Sequence, residues 1–135
     1  MNLVKVSLAG MLLLAAQVKS QQTEQKKPDN PTKCANIKEG KFLRINYPES
    51  LWYMIIKDNV QTEYFNDGKD HIKSTLVFVD DCNYKSIVIE KSDKNDLIQI
   101  GDVFNNKVVA TQDNLLKVNT KIAGSEFNVV YIKTK

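Results

Sequence analysis

The chain has 135 residues, 42% hydrophobic and 26% charged, the composition of a globular domain rather than a disordered one. Its net charge is +3, and Lys5 and Lys19 fall in a leader-like start, so the remainder is close to neutral against 16 acidic residues. That balance excludes a strongly basic nucleic-acid-binding surface.

Residues 1–20 read as a signal peptide: a charged start, an apolar run from Val6 to Ala16, and Val18 and Ser20 before a cleavage point. The run is about half of the ~20 residues that a membrane span requires, and no second run follows it. An uncleaved anchor is the alternative reading, because Lys19 lies just after the run. The chain is therefore expected to be secreted or periplasmic, with no transmembrane segment once the signal is removed. Residues 21–33 have no apolar side chain larger than proline and are expected to form a flexible tether. A single β-barrel domain is expected over 34–135.

From Lys41 the chain breaks into short β-rich runs separated by turn residues. The expected strands are 41–46, 51–57 and 60–65, with Asp58-Asn59 as a two-residue hairpin signal. Runs at 72–79 and 84–91 follow, then 97–104, 107–111, 115–122 and 127–133. Asn66-Asp67-Gly68, Asn105-Asn106 and Ala123-Gly124-Ser125 read as turns. Gly101 lies inside a strand pattern and suggests a bulge. Helical periodicity is hard to find. Short connections imply an antiparallel meander, which must close or fold into layers to cover its edges.

Cys34 and Cys82 are the only two cysteines, and an exported chain favours a disulfide between them. Free buried thiols are the alternative. Such a bond would tie the segment before the first strand to the fifth strand.

The pattern Cys34-x-x-Ile37-x-x-Gly40-x-Phe42, with Gln61-Thr62-Glu63-Tyr64 and Val77-x-x-x-x-Cys82-x-Tyr84, is similar to a family of small exported lipocalin-like proteins of Bacteroidetes-type genomes. The resemblance covers residues 34 to about 91. It implies an all-β, lipocalin-like (calycin-type) barrel of about eight or nine strands, with no assigned catalytic residues. Some members carry a DNA topoisomerase IV label, but this chain has no room for a strand-breakage domain. It departs from the pattern at Ser86, where a larger apolar residue is expected.

No catalytic constellation stands out. His71 is the single histidine and has no nominated nucleophile, and no G-x-S-x-G is present. Asp80-Asp81 and Asp93-x-Asn95-Asp96 lack the central glycine and terminal glutamate of a calcium loop. The chain is expected to be a non-enzymatic monomer without cofactor or metal. The residues worth carrying forward are Thr62 and Tyr64, Tyr84 and Ser86, and Phe127 and Tyr131, each pair spaced to share one strand face. If those faces point inward, they could line a cavity for a small apolar or amphipathic ligand. The competing reading is a filled core and an envelope or extracellular protein-interaction domain, with Tyr47, Trp52 or Tyr53 as exposed contacts.

Overall fold

A computed structural model describes residues 26–92 and 97–134. The expected signal peptide lies outside the described residues, as does the Asp93-Asn95-Asp96 group. No helix among the described residues is long and apolar enough to cross a membrane.

The chain forms eight antiparallel strands: β1 (Gly40–Arg44), β2 (Trp52–Lys57), β3 (Val60–Phe65), β4 (Asp70–Phe78), β5 (Asn83–Lys91), β6 (Val103–Gln112), β7 (Leu115–Ile122) and β8 (Ser125–Lys133). Each pairs with its sequence neighbour, and β8 pairs back onto β1 through Phe42–Lys133, Leu43–Ile132 and Arg44–Tyr131. Closure leaves no free sheet edge. Asp58 and Asn59 both adopt positive φ, the conformation a tight two-residue hairpin requires.

The main difference from the sequence expectation is that the runs 97–104 and 107–111 are replaced by one strand, β6. Asn105 and Asn106 do not turn but run through the middle of β6, and residues 97–102 form the connection before it. The physical reason is that Asn106 finds partners inside the barrel. Its amide donates to Ser86 Oγ at 3.0 Å, and its Oδ1 accepts from Thr120 Oγ1 at 2.8 Å, which offsets its desolvation. Gly101, at φ 94°, belongs to this connection rather than to a strand bulge, and its N–H donates to Val88 O. The bulges occur instead at Lys73/Ser74 and near Val109.

A 3₁₀ turn at Cys34–Ile37 plugs one end of the barrel. Cys34 is disulfide-bonded to Cys82 in the β4–β5 connection, with 4.9 Å between Cα atoms. Cys34 and Ile37 join Phe42, Met54, Ile56, Leu76, Val108, Leu116 and Val118 in a filled apolar core. Residues 26–33 are not a detached tether. Thr111 Oγ1 donates to Asp29 Oδ2 at 2.8 Å and accepts from the Lys33 N–H at 2.9 Å. Asp29 N–H also donates to Thr111 O, which lays the segment along β6.

Candidate functional site

The barrel interior changes character along its axis. Around the plug it is apolar and filled. Toward the end formed by the β3–β4, β5–β6 and β7–β8 connections it becomes polar. A cavity of about 60 Å³ lies there, lined chiefly by Arg44, Gln61, Glu63, Ser74, Tyr84, Ser86, Asn106, Thr120 and Tyr131. Phe104 and Phe127 complete its wall, and Phe127 is 44% exposed, so the wall reaches the surface there.

Strand alternation places these groups. On β1 the inward positions are Phe42 and Arg44, and on β2 they are Trp52, Met54 and Ile56. The β2–β3 register sets Met54 opposite Glu63 and Ile56 opposite Gln61, so both polar side chains of β3 face inward. Glu63 Oε1 accepts from Trp52 Nε1–H at 3.2 Å, and Oε2 accepts from Gln61 Nε2–H at 3.4 Å. Burial raises the Glu63 pKa above the usual carboxylate value, against these hydrogen bonds and the nearby Arg44 charge.

Arg44 stacks over the Trp52 ring at 4.3 Å, and Trp52 stacks in turn on Tyr131, with 5.6 Å between ring centroids. The buried Arg44 Nε–H has no acceptor. Burial pushes the pKa of both Tyr84 and Tyr131 upward, and Glu63 acts on both in the same direction, after Tyr131 in the case of Tyr84. The cavity thus sets one buried donor without a partner, the Arg44 Nε–H, among two tyrosines and a carboxyl that accepts from Trp52 and Gln61. Thr120, Asn106 and Ser86, also in the lining, are linked by side-chain hydrogen bonds from Thr120 to Asn106 and from Asn106 to Ser86.

Of the residues singled out from sequence, Tyr84, Ser86, Phe127 and Tyr131 line this cavity. Thr62 and Tyr64 do not. They occupy the outer face of β3, where Tyr64 stacks on Tyr53 at 4.8 Å and Lys41 Nζ lies 4.9 Å from the Tyr53 ring centroid. Trp52 is not an exposed contact residue, since it is 5% exposed and points into the barrel. Arg44, Gln61, Glu63, Asn106 and Thr120 escaped sequence reading. A signal for the β3 pair was present: a hairpin centred on Asp58-Asn59 pairs Tyr53 with Tyr64 and Met54 with Glu63. It could not be used because Leu51–Ile56 is apolar at every position, so β2 offers no polar face to fix its orientation.

The remaining polar groups are surface features. His71 Nε2 and Glu90 Oε2 lie 2.7 Å apart at the β4–β5 surface, which lowers the Glu90 pKa. Asp80 accepts from the Cys82 and Asn83 N–H groups and from the Asn83 amide, which fixes the turn and lowers its pKa. A larger, open recess of about 760 Å³ lies by Ile55 and is edged by Lys41, Lys57 and Lys133. The chain matches no family model, no curated protein and no solved structure.

Proposed function

We propose that this protein is an exported, non-enzymatic binding module that takes the polar end of a small amphipathic molecule into its barrel. The observation that carries this reading is the buried Arg44 Nε–H, which has no acceptor, beside a cavity also lined by Tyr84 and Tyr131. A buried donor without an acceptor is costly, and an acceptor brought by a ligand would offset that cost. Phe104 and Phe127, at the cavity wall, offer apolar surface to the rest of the ligand. The Cys34–Cys82 bond supports an oxidising, extracytoplasmic compartment, in keeping with the leader-like start and the resemblance to exported lipocalin-like proteins.

Native mass spectrometry of protein purified from its own host tests this. A retained small molecule, lost on mild denaturation and absent from an Arg44→Met variant, is the expected result. Host-purified protein that is empty in every preparation would overturn the reading.

A further inference from the structure

We infer that the group received by the barrel cavity is a monocarboxylate, held by the Arg44 guanidinium and the hydroxyls of Tyr84 and Tyr131. This rests on the binding reading above and names its ligand class.

The charge and hydrogen-bond inventory selects the class. The buried group without a partner is a donor, the Arg44 Nε–H, so the ligand must bring an acceptor. An ammonium would be placed beside the like charge of the Arg44 guanidinium. An uncharged hydroxyl would leave the guanidinium unmatched, whereas a carboxylate suits its planar donor geometry. Charge then separates carboxylate from phosphate. The cavity is small, about 60 Å³. Arg44 is the single cation in its lining, so a phosphate dianion would bring two charges against one.

Glu63 appears at first to oppose an anion. It is instead the means by which the site admits one, because a proton on Glu63 turns a repelling carboxylate into a further donor. Its raised pKa supports this. The charged and titratable groups that face it are Arg44 from β1, Tyr84 from β5 and Tyr131 from β8. Met54 of β2 and Ile72 of β4 are opposite it in register and do not titrate. Both phenols stay protonated across the physiological range. A carboxylate is therefore expected to bind better where Glu63 is protonated.

Sodium octanoate, octyl phosphate, octylammonium and 1-octanol provide the test, with calorimetric titration of the full mature chain. Octanoate is expected to bind, and more tightly at about pH 5.5 than at about pH 7.5, where it remains ionised. Arg44→Met should weaken it about tenfold or more. Tyr131→Phe, which keeps the ring against Trp52 and removes the hydroxyl alone, should weaken it severalfold. Glu63→Gln should abolish the pH dependence of octanoate binding. Octanol or octylammonium binding as well as octanoate, or octanoate affinity unchanged in both Arg44→Met and Tyr131→Phe, would overturn the carboxylate assignment while leaving a binding module. Tighter binding of octyl phosphate would overturn it in favour of another oxyanion. Failure of all four probes would overturn it too, and only empty host-purified protein would remove the reading beneath.

Discussion

Trp52 and Glu63 are diagonal neighbours on the inner face of the β2–β3 hairpin, joined by a hydrogen bond from the indole Nε1–H to the carboxyl at 3.2 Å. This is the single tryptophan of the chain, and Arg44 lies against its other side. Its emission therefore reports on the cavity directly. Titrating the ligand-free protein should give a Trp52 fluorescence transition centred above the ordinary glutamate value of 4.5, absent in Glu63→Gln. A flat profile, or one unchanged in the variant, would dissociate the indole from the carboxyl.

The same carboxyl makes stability depend on pH in a defined direction. Its folded-state pKa is raised, so the native state holds the proton more tightly than the unfolded chain. Stability contributed by this group is then greatest below pH 4.5 and falls as pH rises through the folded-state value. Glu63→Gln removes that loss. Denaturant melts should find the variant more stable than wild type at neutral pH, with the advantage shrinking toward acid. A deficit at neutral pH would mean that the ionised form is the favoured one.

The disulfide closes a 48-residue separation between the plug and the β4–β5 connection. The loop-entropy model gives about 4 kcal/mol for a closure of that length. Cys34→Ser with Cys82→Ser should lose up to that amount in urea unfolding, and the loss should vanish when both proteins are compared under reducing conditions. Two reactive thiols in unfolded, unreduced wild type would refute the bond.

Ser86 lies beneath the cavity, with its hydroxyl accepting from Asn106. Ser86→Phe would drive a ring into about 60 Å³ of space and take one of its partners from the Asn106 amide, which keeps Phe104 O and Thr120. The two effects together should cost about 2–4 kcal/mol and close the cavity to octanoate. Ser86→Ala should cost less and leave the space open. Melts and titrations of both variants separate filling from loss of the hydrogen bond.

Thr111 pins the segment before the plug, through hydrogen bonds with Asp29 and Lys33. Thr111→Val keeps the shape and removes both, and should cost about 1–2 kcal/mol. Lys26→Ala removes the exposed pair with Asp113 and should cost almost nothing. Comparable losses in the two variants would show that the segment is held otherwise.

Most of the barrel was legible because its turns are chemically marked. Asp58-Asn59, Asn66-Asp67-Gly68 and Gly124 adopt the positive φ that their residue types suggest, and the intervening runs pair as a meander. Asn105-Asn106 failed as a turn signal because a buried amide with two partners sits stably in a strand. Part of the cavity, Tyr84, Ser86, Phe127 and Tyr131, was read from side-chain spacing on β5 and β8. Arg44, Gln61 and Glu63 were missed because they carry polar side chains that composition assigns to the surface. Only the closure of β1 onto β8 and the β2–β3 register turn them inward.

The most direct test of a ligand in the barrel is a ¹H–¹⁵N NMR titration with octanoate. It should follow the Trp52 indole Nε1–H, the Arg44 Nε–H and the Asn106 side-chain amide. Saturable shifts concentrated on these inward-facing groups, with the Tyr53 and Tyr64 backbone signals left in place, are predicted. Shifts confined to Tyr53, Tyr64 and the open recess near Lys41 and Ile55, with the Arg44 Nε–H unmoved, would contradict it.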